Sequence, residues 1–138
     1  RGMTRVKELM QAGVNVAFGH DCVMDPWYPL GSHDMLEVAH MGLHVAQMTG
    51  TEEMRRLFEA VTVNGAKVLG LEGYGLAPGC FADLVVLQAG DPVEALRLKP
   101  ARLFVIRRGD VIAETAPTAS RLNLGGQALS VDFRHAAD

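Results

Sequence analysis

The sequence has few of the features that would tie it to an oxidising compartment, a membrane or a nucleic acid. Its 138 residues include only two cysteines, Cys22 and Cys80. They lie far apart and in no zinc-ligand spacing, so they read as two reduced thiols of a cytoplasmic protein. Net charge is -3, which gives no general attraction to nucleic acid or to an anionic membrane surface. No stretch approaches the roughly 18 consecutive apolar residues of a membrane span. The first residues hold no apolar core of the signal-peptide kind. Internal repeats and low-complexity tracts are absent. What remains is the composition of one ordinary globular domain, about half apolar and about a fifth charged.

The most informative stretch runs from Val14 to Asp21. An apolar run, broken only by Asn15, ends at Gly19, His20 and Asp21. The loop that follows, Cys22 to Ser32, carries Pro26, Trp27, Tyr28, Pro29 and Gly31, too much proline for regular structure. A buried strand that empties into a stiff polar loop is how α/β proteins build sites. Residues 14 to 20 are therefore expected to be a strand buried on both faces. Asp21 has two readings from its residues alone: a loop acid capping nearby amides, or a carboxylate that does chemistry. Trp27 also has two: a ring plugging the core from a rigid turn, or a ring held at a site by its flanking prolines.

Around this stretch the pattern alternates. Residues 4 to 12 read as an amphipathic helix capped by Thr4 and ended by Gly13. Residues 33 to 49 read as a helix capped by Ser32 and ended by Gly50, apolar around nearly its whole circumference and so buried or packed on another subunit. His40 and His44 lie there at i and i+4, a spacing that can hold a metal, but no third ligand accompanies them. Thr51 is expected to cap the next helix and Asn64 a further short one over 66 to 69. Gly70 to Gly79 is a glycine-rich connection. Strands are expected at 82 to 87, 103 to 106 and 111 to 113, the last two joined as a hairpin through Arg107-Arg108-Gly109-Asp110. Residues 94 to 98 form a helical turn. Beyond Thr115 the chain reads as irregular, with an edge strand over 130 to 133 and fraying at 136 to 138.

The pattern changes near residue 75, giving an α/β part over 1 to 75 and a mostly antiparallel β part over 76 to 138. One parallel-type strand cannot satisfy its own backbone groups, so this strand needs neighbours that the sequence does not supply. The chain also enters a helical pattern almost at Arg1. Residue 1 is expected to lie inside a longer protein.

Two blocks carry a family resemblance. The first is Phe18-Gly19-His20-Asp21-Cys22-Val23-Met24-Asp25-Pro26-Trp27-Tyr28-Pro29-Leu30-Gly31, followed by His40-Met41-Gly42-Leu43-His44. The second runs from Val61-Thr62-Val63-Asn64 through Ala66 to Leu71, then Gly79 and Ala82 to Leu87. Together they resemble the C-terminal third of an amidohydrolase-superfamily enzyme of the bacterial cytosine deaminase kind. The resemblance implies the last strand and helices of a (β/α)8 barrel, plus strands of a small β-sandwich domain. It implies a divalent metal, Fe2+ or Zn2+, with Asp21 as ligand and catalytic carboxylate. Cys22 and Trp27 would line the substrate pocket, and His20 would sit behind the ligand and shape the strand end.

The implied reaction is metal-dependent hydrolytic deamination of cytosine or a related amino-substituted heterocycle. The implied partners are that small molecule, the N-terminal part of the same enzyme and, at full length, further copies of it. The other metal ligands, a His-x-His pair among them, are not in this chain, whose histidines are 20, 33, 40, 44 and 135. The chain alone is therefore expected to be inactive. Cytosine deaminases carry a second aspartate where Cys22 stands and an aromatic residue where Met24 stands. Those departures leave related amino-azines such as isocytosine or creatinine-like rings open as substrates, and a different amidohydrolase acting on a cyclic amide is a further alternative. A different class of function is a non-catalytic remnant or assembly module that binds a partner through residues 33 to 49.

Overall fold

The computed structural model describes residues 2–134 and divides into two units between Cys80 and Phe81. The fraying expected at 136 to 138 lies outside the described residues.

Four helices make up the first unit: α1 Val6–Gln11, α2 Met35–Val45, α3 Thr51–Ala60 and α4 Val63–Val68. Their core is small and centred on α2 and α3, with Val6 of α1 and Ala66 of α4 also buried. Leu36, Ala39 and Leu43 of α2 are buried with Met48, Leu57 and Ala60. Met41 and Val45 on the same α2 are exposed, so of the two expectations for that helix, burial or packing on another subunit, burial within this chain is not met.

The helix ends differ from the sequence reading at several caps. Thr4 does not cap α1 with its side chain: Arg5 is the cap residue, and Thr4 only accepts the Val6 amide through its carbonyl at 2.9 Å. Gly13 does end that turn in the left-handed region at φ +79°. For α2 the cap is Asp34, whose Oδ1 accepts the Leu36 amide at 2.7 Å. Ser32 instead donates to Glu37 at 2.5 Å. The cause is His33, whose φ of +58° keeps the helix from starting earlier. At the other end Gln47 turns left-handed at φ +52°, so the chain leaves the helix before Gly50. Gly50, not Thr51, is the cap of α3, and Glu53 reaches back to its amide at 3.0 Å.

The strand expected over 14 to 20 is not formed. Strand structure is a ladder, and no strand lies beside this segment among the described residues. Helices hold it instead. The Val14 amide donates to Leu9 O at 3.0 Å, and the Phe18 amide to Ala60 O at 2.9 Å. Asn64 does not cap a helix but lies inside α4. Its side chain donates to Val16 O at 3.0 Å, while Asn15 donates back to Asn64 O at 3.2 Å.

The second unit is mostly β. Strands β1 Leu84–Leu87, β2 Arg102–Arg107 and β3 Asp110–Glu114 form an antiparallel sheet in that order. The β2–β3 turn places Arg108 and Gly109 at φ +53° and +91°, the paired left-handed residues that a tight two-residue hairpin needs. Asp83 Oδ1 accepts the Arg108 amide at 2.6 Å, and the Arg108 guanidinium lies 3.5 Å over the Phe81 ring.

Helix α5, Pro92–Leu98, is capped by Asp91, whose Oδ1 accepts the amides of Val93 and Glu94 at 2.7 and 2.9 Å. Glu94 is buried and held by two Arg97 hydrogen bonds at 2.7 and 2.8 Å. The region past Thr115 is not irregular. It forms a second hairpin, β4 Ser120–Leu124 and β5 Gln127–Val131, turning at Gly125 and Gly126. Gln88 meets the chain before it. Its amide donates to Thr118 O and accepts from Thr118 N, both at 2.8 Å, as a strand neighbour would.

Candidate active site at the end of the Val14–His20 segment

The segment from Val14 ends at a turn in which Asp21 adopts φ +64°. Aspartate tolerates this left-handed conformation better than most residues do. Asp21 is exposed and makes no ion pair among the described residues. Its neighbour His20 is folded back over it. His20 Nδ1 is 3.2 Å from Cys22 O. A carbonyl only accepts, so Nδ1 carries the hydrogen of this bond. Nε2 is buried with no hydrogen-bond partner.

The proline-rich loop closes on itself. The Met24 amide donates to Leu30 O at 3.0 Å and the Asp25 amide to Tyr28 O at 3.2 Å. Asp25 Oδ1 accepts the amides of Trp27 and Tyr28, both at 2.9 Å. Asp25 is thus the residue that orders the loop, a role the sequence reading missed. An aspartate directly before a proline in a turn was the signal that could have found it.

Cys22 faces Asp25 as well. Its thiol is pushed up to about 11, first by its hydrogen bond to Asp25, then by desolvation and by the negative charge of Asp21. Asp25 is held below the usual carboxylate range, first by the Cys22 thiol and then by the Tyr28 and Trp27 amides. Cys22 is therefore a neutral thiol at physiological pH. Trp27 is 86% exposed, so it does not plug the core of this chain. His20, Asp21, Cys22 and Trp27 fall within one turn and loop. His40 and His44 lie on α2 with their rings 4.8 Å apart, edge to face.

As one metal ligand Asp21 fits: it is an accessible carboxylate at the tip of a held turn. It is one donor only. Among the described residues no group of three His, Cys, Asp or Glu side chains is placed to hold a metal ion. A groove of about 500 Å³ lined by Met10, Val14, Arg56, Glu59, Asn64 and Lys67 includes none of the four predicted site residues. The chemistry-bearing groups and this concavity do not coincide.

The fold is that of part of an amidohydrolase, and the chain belongs to the amidohydrolase family. The model of that family matches residues 1–120. The chain is 34% identical over 110 residues to N-isopropylammelide isopropyl amidohydrolase of Pseudomonas sp., covering 79% of this chain and 27% of that protein. It is 32% identical over 124 residues to pterin deaminase of Rhizobium rhizogenes, covering 89% and 28%. The solved structure of 5-methylcytosine deaminase from Klebsiella pneumoniae with 5-fluorocytosine superposes at a TM-score of 0.83 and 41% identity, over 87% of this chain and 29% of that one. The chain thus spans between a quarter and a third of the length of these relatives. No helix among the described residues is long and apolar enough to cross a membrane.

Proposed function

We propose that this chain is the C-terminal third of a hydrolase that deaminates a cytosine carrying a substituent at C5. Residues 1 to 75 would complete a (β/α)8 barrel, with 14 to 20 as its closing strand, and 76 to 138 part of a β-sandwich domain. The observation that carries the reading is the Phe18–Gly31 block with Asp21 at its turn, in a chain 41% identical to a 5-methylcytosine deaminase. Cys22 supports the substituted ring. It puts a neutral thiol where cytosine deaminases carry a charged aspartate, leaving a less polar wall.

In the complete enzyme Asp21 is one ligand of a divalent metal, Fe2+ or Zn2+, with the other ligands outside this chain. The bound metal supplies water activation near neutral pH. Asp21 would accept a proton from the attacking water and pass it toward the leaving amino group, so that hydroxide would add at the ring carbon and the bond from that carbon to the amino nitrogen would break to release ammonia. Trp27, held between Pro26 and Pro29, covers the ring, and His20 supports the turn from behind. Reduced Cys22 and Cys80 suit a cytoplasmic setting. The exposed Met41 and Val45 suit burial against further copies of the enzyme.

The test is an ammonia-release assay of the complete gene product, loaded with Fe2+ or Zn2+, on cytosine, 5-methylcytosine and isocytosine. The expected order puts 5-methylcytosine first, with Asp21→Asn inactive and the 138-residue chain alone inactive. No ammonia from any of the three sinks the reading. A second reading is favoured by the 34% identity to N-isopropylammelide isopropyl amidohydrolase. Release of isopropylamine from N-isopropylammelide, and no ammonia from cytosines, would establish it instead.

A further inference from the structure

We propose that His20 is a positioning residue whose Nδ1–H···O=C bond to Cys22 spans Asp21 and locks its left-handed backbone, fixing the direction of its carboxylate. The inference rests on the reading of Asp21 as the reactive carboxylate. The bond from His20 Nδ1 to Cys22 O, at 3.2 Å, closes a ring around the one residue whose φ is +64° at this turn. Left-handed backbone at a residue other than glycine persists where its surroundings hold it.

His20 is itself held. Gly31 returns over its ring at φ +95°, so close that a Cβ there would stand 2.8 Å from His20 Cε1. His33 lies beyond, ring centroids 6.1 Å apart. The second ring nitrogen is buried and unpartnered, so the imidazole is placed by Nδ1 and by its packing under Gly31, not by any bond of Nε2. Between Met24 and Leu30 the loop is closed by its own hydrogen bonds and by Asp25. The loop is one stiff piece, and the His20–Asp21–Cys22 turn is its base. Removing the Nδ1 bond leaves Asp21 as the point where that piece can swing.

The experiment compares His20→Asn and His20→Gln in the complete enzyme. An asparagine amide nitrogen can take the place of Nδ1, whereas a glutamine amide reaches toward the place of Nε2. His20→Asn is expected to keep kcat, KM and metal content within about threefold of the wild type. His20→Gln is expected to lose on the order of tenfold or more in kcat or in metal affinity, the usual scale for residues that orient a ligand. Gly31→Ala, which displaces the ring without deleting it, is expected to behave like His20→Gln.

Crystal structures of the two amide variants add a readout that needs no substrate. Asp21 is expected to stay left-handed in the asparagine variant and to leave that region in the glutamine variant. Equal behaviour of the two variants in kinetics and in Asp21 geometry overturns the proposal. If the wild type deaminates none of the amino-azines, the functional reading falls, while the Asp21 geometry and metal content still decide the role of His20.

Discussion

The ring of Phe18 fills the space that a side chain at Gly42 would need: a Cβ on Gly42 would stand 2.5 Å from Phe18 Cε2. Phe18 belongs to the segment leading to the site, and Gly42 to α2. The missing side chain is what lets helix and segment approach. Gly42→Ala is therefore expected to destabilise the protein by about 1–3 kcal/mol through overpacking. Gly65→Ala in α4 meets nothing within 4 Å at a helical position, and is expected to stabilise by about 0.5–1 kcal/mol. Chemical denaturation midpoints of the two variants should move in opposite directions.

The thiol of Cys22 is expected to resist alkylation until strongly alkaline pH. In a Cys80→Ser background, the rate of iodoacetamide labelling against pH should turn up near 11, where the thiol ionises beside Asp25. Asp25→Asn removes the carboxylate that opposes the thiolate, so the curve should move to lower pH. An unmoved curve would show that Asp25 is not the cause.

Helix caps give a third contrast. Asp91→Ala removes an oxygen that accepts two amides at the start of α5, and is expected to cost about 0.5–2 kcal/mol. Thr4→Ala removes no cap bond and should change the denaturation midpoint little.

The carboxyl of Asp132 is lowered to about 2, chiefly by the side chain and then by the amide of Arg134. Its value when folded lies below its value in the unfolded chain. The stabilising contribution is thus present above about pH 4 and is lost as the pH falls toward 2. A carboxyl titration followed by NMR should show a midpoint near 2, rising in Arg134→Gln.

What the sequence made legible was local. Strands β1 to β3 and helix α5 followed from short apolar runs and turn residues. Membership of the amidohydrolase family followed from two contiguous blocks. The Gly125-Gly126 hairpin was missed although two adjacent glycines are a turn signal; the polar residues around them hid its strands. Residues 14 to 20 form no strand among the described residues because a strand exists only with a neighbour, and the sequence reading places those neighbours outside this chain. The cap of α2 moved from Ser32 to Asp34 through the backbone of one residue, His33. At the site, the polar turn at Asp21 and the stiff loop after it were readable in order. The return of Gly31 over His20 and the hub formed by Asp25 were not, since both depend on where the loop comes back in space.

The paired hydrogen bonds between Gln88 and Thr118 bring together residues thirty apart in the chain. They work only because an amide both donates and accepts. Loss of the side-chain nitrogen, as in deamidation to glutamate, would turn one bond into an oxygen facing an oxygen. The stretch carrying α5, β2 and β3 would then be released at its closing point. Deamidation at Gln88 should therefore make the second unit more susceptible to proteases.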